Sequence, residues 1–252
     1  MNTNHFLTLV IPSYKQEKII VKNLQQLLAA LQQIRYDYEV VVVVDGEIDE
    51  TAAKIKKANL PKVSVVTYPE NQGKSYAIRQ GMKKAKGDYV MFLDAGMEID
   101  PNGISMLLEH MEWYDADIVV GSKRHPASKV NYPAKRKILS DGYYYLIRIL
   151  FGLRIRDTQA GIKIFKKQVL DKILPRLVEK KFAGDLEMLV VARQCGFNNI
   201  CEAPINLNYS DDQFSTAVKF NSVIGIFIDT LAIWYRKNIL HYYNRAHIYE
   251  KN

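Results

Sequence analysis

Asp88-Tyr-Val-Met-Phe-Leu-Asp94-Ala-Gly-Met-Glu98 reads as a buried strand that stops on a carboxylate. The apolar run is short, lies between Gly87 and Gly96, and lacks the polar alternation of a half-exposed strand. Asp94 closes it, and Glu98 follows four positions later. In open α/β sheets, ligands bind at the carboxyl ends of the strands. Two hard oxygen donors at such an end suit a divalent cation, Mg²⁺ or Mn²⁺, carrying the phosphates of a nucleotide.

The pattern repeats on both sides of this strand. Phe6–Ile11 is an apolar run stopped by Pro12. Ile20, Leu24, Leu27, Leu28 and Leu31 then recur at helical spacing. Glu39–Val44 is apolar on both faces, as a central parallel strand requires, and ends on Asp45-Gly46. A helix over about residues 50–58, a strand at Val63–Tyr68, a turn at Asn71-Gln-Gly73 and a helix over 75–84 lead back to the opening segment. A helix opened by Pro101 and a strand at Ile118–Val120 follow. This alternation predicts an α/β fold, a doubly wound and mostly parallel sheet with helices on both faces.

The second half is less regular. Ile138–Phe151 reads as an aromatic-rich helix, Lys163–Phe165 as a short strand, Asp185–Gln194 as a helix and Ile200–Leu207 as a strand interrupted by Pro204. From Phe220, apolar residues fall at Val223, Ile224, Phe227, Ile228, Leu231, Trp234 and Tyr235, a helical stripe followed by Arg236 and Lys237. The stripe is too short to span a bilayer and is interrupted by Asp229. A C-terminal amphipathic helix of this kind lies in a membrane interface, or packs on the core or on another subunit. No linker separates the parts. The expected organisation is one unit over 1–215, with a nucleotide half (about 1–120) and an acceptor half (121–215), and a helical segment over 216–252.

The 252 residues carry a formal net charge of +8, which favours anionic partners. The charge gathers at Lys123, Arg124, Lys129, Lys135, Arg136 and Lys137. No recognised nucleic-acid motif accompanies it, so no nucleic-acid partner is expected. Cys195 and Cys201 fit neither a zinc spacing nor a disulfide framework and read as free thiols. The amino terminus carries no signal-peptide pattern.

Four segments, VIPSYKQE (10–17), VVVVDGEIDET (41–51), NQGKSYAIRQG (71–81) and YVMFLDAGME (89–98), resemble in order and spacing the inverting nucleotide-sugar glycosyltransferases of the GT-A fold. A fifth, IRDTQAGIKIF (155–165), narrows the resemblance to the polyprenyl-phosphate group, the dolichyl-phosphate glucosyl- and mannosyltransferases and their bacterial relatives. The resemblance covers about residues 6–215 and implies roles by position. Pro12, Tyr14 and Glu17 match the turn around the nucleobase and ribose. Asp45 matches the second acidic residue of an Asp-Asp-Gly motif whose first member is here Val44. Asn71, Gly73, Lys74, Arg79 and Ala95 match the nucleotide-sugar surround. Asp94 matches the first aspartate of Asp-x-Asp, and Gly96 replaces the second. Losing that carboxylate weakens metal binding, yet Asp94 and Glu98 still supply the one or two carboxylates that Mg²⁺ or Mn²⁺ needs beside phosphate oxygens and water. Taken alone, Asp45 can equally cap a helix, Asn71-Gln-Gly73 can be only a turn, Lys74 and Arg79 can be solvated charges, and Asp157-Thr-Gln can cap a turn.

On the acceptor side, the resemblance places Lys123, Arg124, Lys135 and Arg136 near an acceptor phosphate, although a solvated basic face would look the same. It places Asp157, Gln159 and Asp185 with Asp94 at the catalytic centre. The implied activity is inverting, metal-dependent transfer of a hexose from a nucleoside-diphosphate sugar to a polyprenyl phosphate. A UDP-sugar is favoured, and GDP-mannose stays open. A non-lipid acceptor and a catalytically silent nucleotide-sugar binder are the alternatives. Such an enzyme works peripherally on the cytoplasmic face of a membrane, and an oligomer is compatible with it.

Overall fold

The computed structural model describes residues 5–130, 134–207 and 220–245. Seven strands form one sheet: β1 (Phe6–Ser13), β2 (Asp37–Asp45), β3 (Val63–Tyr68), β4 (Tyr89–Leu93), β5 (Ile118–Ser122), β6 (Ile162–Lys166) and β7 (Ile200–Pro204). Their order is β3-β2-β1-β4-β6-β5-β7. β1 pairs parallel with β2 and β4, β2 with β3, and β5 with β7; β6 runs antiparallel to both β4 and β5. The sheet is therefore mostly parallel, with one reversed strand.

The helices are α1 (Ile20–Leu31), α2 (Thr51–Ala58), α3 (Lys74–Lys84), α4 (Ile104–Trp113), α5 (Ala134–Phe151), α6 (Lys167–Ile173), α7 (Gly184–Gln194) and α8 (Phe220–Asn238). Strand residues alternate between two cores, as the pleat dictates. Leu7, Leu9, Ile11, Val40, Val42 and Val44 pack with α1, α2 and α4 on one face. Val10, Val41, Val43, Val90 and Phe92 pack with α3, α5, α6, α7 and Ile233 of α8 on the other. Because both faces are covered, the central strands carry no polar alternation.

Boundaries moved by one to a few residues from the sequence expectation, and α6 was not anticipated. The strand expected over Ile200–Leu207 ends at Pro204; beyond it, Asn206 and Leu207 make only isolated bridges, to Lys129 and Ile99. Proline lacks the amide hydrogen needed to continue the ladder. The described part of the C-terminal stripe divides: Phe227, Ile228, Leu231 and Tyr235 are exposed, Trp234 packs against the second core, and Thr230 and Ile233 between them are buried. The side chains of Phe220, Val223 and Ile224, and the boundary expected at 215/216, lie outside the described residues. Among the described residues, no helix is long and apolar enough to cross a membrane.

Candidate functional site

The sheet fixes where a ligand enters. β2 and β3 lie to one side of β1 and β4 lies to the other, so the winding reverses between β1 and β4. The crevice at the carboxyl ends of such a strand pair is the binding position of this architecture. A cleft of about 600 Å³ opens there. Its walls are Pro12 and Ser13 at the end of β1, Tyr14 and Gln16 after it, Asp45 at the end of β2, and Asn71, Gln72, Gly73 and Lys74 entering α3. Ala77 of α3, Asp94, Ala95, Gly96 and Glu98 after β4, and Lys181 and Phe182 before α7 complete it.

Asp45 is buried and organises one wall. Its Oδ1 accepts from Tyr68 Oη (2.8 Å) and the Gln72 amide (2.7 Å); its Oδ2 accepts from Asn71 Nδ2 (2.8 Å) and the Gly73 amide (2.9 Å). Four donors on one carboxylate hold the 71–73 loop against β2. Burial and the neighbouring Asp45 carboxylate raise the pKa of the Tyr68 phenol. Gly73 takes a φ of 102°, and a Cβ there would overlap the Lys180 carbonyl, so only glycine fits this turn.

The second wall is an alternating chain of charges. Lys74 Nζ lies 2.7 Å from Asp94 Oδ1 and 3.8 Å from Asp185 Oδ2. Asp185 Oδ1 lies 2.9 Å from Nζ of Lys163, which also donates to the Ala160 carbonyl at 2.8 Å. Asp185 and Lys163 are both buried. Burial alone would lower the pKa of Lys74, but Asp94, Asp185 and Glu98 raise it above the ordinary lysine value. Burial wins at Lys163 and lowers its pKa despite Asp185. Asp94 also receives support from the backbone: its amide donates to the Gly161 carbonyl at 3.1 Å. A Cβ on Gly161 would overlap Oδ2 of Asp94.

The remaining predicted residues stand outside the cleft lining. Glu17 Oε2 accepts from the Glu50 amide at 3.1 Å, just before α2. Arg79 donates from Nη1 to the Leu177 carbonyl, behind the cleft wall. Asp157 is buried; its Oδ2 accepts from the Lys123 amide at 3.0 Å and lies 3.7 Å from Lys123 Nζ. Arg124 is bound by Ser140 Oγ at 2.9 Å and by Asp141. Gln159 interacts with Tyr143, whose hydroxyl lies 3.0 Å from Thr230 Oγ1 of α8; burial raises the pKa of that phenol, and both partners oppose the rise. The side chains of Lys135 and Arg136, on the first turn of α5, lie outside the described residues. The run from Asp157 to Gly161 thus connects the Lys123 neighbourhood to Asp94.

Lys163, Ser13, Lys181 and Phe182 were missed from sequence. Lys163 left one usable signal, a single cation inside the apolar run Ile162–Phe165. Ser13 is 2% exposed, its hydroxyl has no hydrogen-bond partner among the described residues, and it lines the cleft. For a divalent cation, the cleft offers Asp94 and Glu98, two hard-oxygen donors on one wall. A Cβ at Gly96, between them, would meet nothing within 4 Å. No group of three or more metal-ligating side chains occurs among the described residues. This donor set therefore fits a cation that takes its other ligands from phosphate and water.

The chain is 29% identical to the dolichyl-phosphate beta-glucosyltransferase of Drosophila melanogaster, over 91% of this chain and 74% of that protein. It is 30% identical to a dolichyl-phosphate beta-glucosyltransferase of Trichomonas vaginalis, over 93% and 75%. Its fold is that of GT-A glycosyltransferases. The Mycobacterium tuberculosis glucosyl-3-phosphoglycerate synthase, solved in complex with Mn²⁺, UDP and phosphoglyceric acid, superposes with a TM-score of 0.65 at 15% identity, covering 91% of this chain and 78% of that one. The family model for glycosyl transferase family 2 matches residues 8–174, the stretch that builds the cleft from β1 through Asp94 to β6, and the chain belongs to that family.

Proposed function

We propose that this glycosyltransferase moves glucose from UDP-glucose to the phosphate of a polyprenyl phosphate, with inversion at the anomeric carbon. The observation that carries the proposal is the match, along 91% of the chain, to a protein named for beta-glucosyl transfer to dolichyl phosphate. In the reaction, an acceptor phosphate oxygen forms a bond to the anomeric carbon. The bond from that carbon to the β-phosphate oxygen breaks, and its electron pair leaves with UDP. A phosphate oxygen is already anionic near neutral pH, so the step asks for positioning and charge stabilisation rather than a general base.

The residues divide accordingly. Pro12, Tyr14, Asn71, Gly73 and Ala95 enclose the nucleotide, with Asp45 fixing their loop and Glu17 and Arg79 bracing the wall from behind. Lys74 faces the leaving diphosphate. Asp185, held by Lys163, orients the sugar hydroxyls. Lys123, Arg124, Lys135 and Arg136 receive the acceptor phosphate, and Asp157 and Gln159 set its approach. Asp94 and Glu98 would hold Mg²⁺ or Mn²⁺, which neutralises diphosphate charge when bound. In this scheme residues 1–215 are the catalytic unit, and the segment carrying α8 meets the bilayer that holds the acceptor.

The test is a transfer assay with radiolabelled UDP-glucose, UDP-galactose, UDP-N-acetylglucosamine and GDP-mannose, each offered to a short polyprenyl phosphate with Mg²⁺, Mn²⁺ or EDTA. Label should pass to the lipid phase from UDP-glucose, and EDTA should suppress it. Transfer from GDP-mannose instead would reassign the donor. Nucleotide binding without transfer would overturn the acceptor assignment.

A further inference from the structure

A second cavity, of about 520 Å³, lies where the ends of α5, α7 and α8 meet. Phe151, Leu153 and Val190 give it apolar walls, Arg193 and Lys237 give it cations, and His241 adds an imidazole; none of its lining residues is acidic. Arg193 donates from Nη1 to the Gly152 carbonyl, which fixes one side of the guanidinium. Gly152 has a φ of 68°, and a Cβ there would come within 3.3 Å of Nη1, so the turn and the arginine are fitted to each other.

Aliphatic side chains stand exposed beside this cationic cavity, just past the end of α8. Ile239 and Leu240, immediately before His241 of the cavity lining, are each 54% exposed. Phe227, Ile228, Leu231 and Tyr235 continue the outward apolar face along α8. Apolar residues beside a basic pocket match the two layers of an anionic bilayer surface, acyl boundary and charged headgroup. The cavity is distinct from the acceptor residues. Arg124 bonds to Ser140 and Asp141, and Phe151 lies ten residues further along α5, roughly 15 Å at the rise of a helix.

We propose that this cavity binds the phosphate headgroup of an anionic phospholipid, while Ile239 and Leu240 enter the interfacial layer around it. The occupant is the bilayer rather than free phosphate, because an isolated anion would leave the aliphatic residues in water. The inference rests on the transferase reading only in placing the protein at a membrane.

Flotation of the full chain with vesicles tests it. One set is phosphatidylcholine alone and the other includes about 30% phosphatidylglycerol, both without polyprenyl phosphate, so a wrong acceptor assignment cannot affect the result. The protein should float with the anionic vesicles and release at high salt. Arg193→Gln with Lys237→Gln should lower partitioning about 30-fold, from roughly one cation's worth of attraction each. Leu240→Ser should weaken it as well, with circular dichroism unchanged in both variants. Transfer to a short, water-soluble polyprenyl phosphate should stay at the parent level. Inorganic phosphate at millimolar concentration should not displace the vesicles. Absence of flotation, equal flotation of the double variant, or displacement by inorganic phosphate would overturn the proposal.

Discussion

Nζ of Lys74 sits 2.7 Å from Oδ1 of Asp94 and 3.8 Å from Oδ2 of Asp185, so one ammonium serves carboxylates from two different elements. Asp94 ends the run that begins in β4, Asp185 belongs to the first turn of α7, and Lys74 opens α3. The contact ties the cleft to the buried pair behind it. Lys74→Met should lower kcat/KM about 10²- to 10³-fold, the usual loss when a preorganised charge-stabilising group is removed. Lys74→Arg should not restore it, because a planar fork cannot replace a compact ammonium between two carboxylates. The raised pKa of Lys74 gives the pH signature. Its stabilising charge is fully present below the unfolded lysine value of about 10.4 and is lost only as pH rises through the higher folded value. Rate profiles between about pH 6 and pH 9 should therefore carry no limb from Lys74.

Gly161→Ala tests how closely the strand after Asp157-Thr-Gln approaches Asp94. The added methyl would overlap Oδ2 of Asp94, and that atom belongs to a side chain that can rotate. The fold should survive while Asp94 swings away from Lys74. The expected outcome is a kcat reduced at least about tenfold with a melting temperature within a few degrees of the parent, since a misplacement near 1 Å at a reacting centre costs up to ~10²-fold.

Gly96→Asp addresses metal use. A Cβ there meets nothing within 4 Å, and Gly96 lines the cleft with Asp94 and Glu98. The substitution adds a third carboxylate without a steric cost. Titration of nucleotide binding with Mn²⁺ should show a lower half-saturating concentration than in the parent. An unchanged titration would argue that the cation is not held on this wall.

The parallel core was legible because strands covered on both faces must be continuously apolar, and Val40–Val44 and Tyr89–Leu93 could not be read otherwise. The carboxylates ending those strands were legible for the same reason: a charge that interrupts a buried run lies at its end. The direction of β6 was not legible, because side-chain pattern carries no record of strand polarity. Lys163 was hidden because its partner, Asp185, is 22 residues away on α7, a pairing that no local pattern displays. Glu17 and Arg79 share segments with cleft residues, yet their side chains turn to the Glu50 amide and the Leu177 carbonyl. Segment identity predicted the neighbourhood and could not predict the rotamer.

Lys163→Met should expose the dependence of Asp185 on its buried partner. Lys163 is fully buried, and its loss would leave Asp185 Oδ1 without its cation. Breaking a buried pair from one side costs about 3–5 kcal/mol. Adding Asp185→Asn to that variant should recover part of the loss, because it removes a buried charge left with only the more distant Lys74 ammonium. Denaturant unfolding of the two single variants and the double variant measures the coupling directly.

Tyr243 links the C-terminal segment to the cleft over a longer route. It is 1% exposed, and its hydroxyl donates to Oε1 of Glu187 at 2.8 Å. Glu187 Oε2 accepts from the Val178 amide (3.1 Å) and the Glu179 amide (2.9 Å), and burial raises its pKa. The next carbonyl, Lys180, accepts from the Ser75 and Tyr76 amides at 3.0 and 3.2 Å, capping the start of α3. Lys181 and Phe182 then line the cleft. Arg236 of α8 pairs with Glu179 in the same segment. Tyr243→Phe keeps the packing and removes one hydrogen bond to a buried acidic side chain. It should cost about 1.5–3 kcal/mol of stability. The loosened 178–182 segment should raise the donor KM roughly two- to thirtyfold while sparing kcat, the range seen for couplings carried through packed networks. Steady-state kinetics at saturating acceptor separate the two parameters. A changed kcat with an unchanged donor KM would mean that the segment acts on the chemical step and not on the cleft wall.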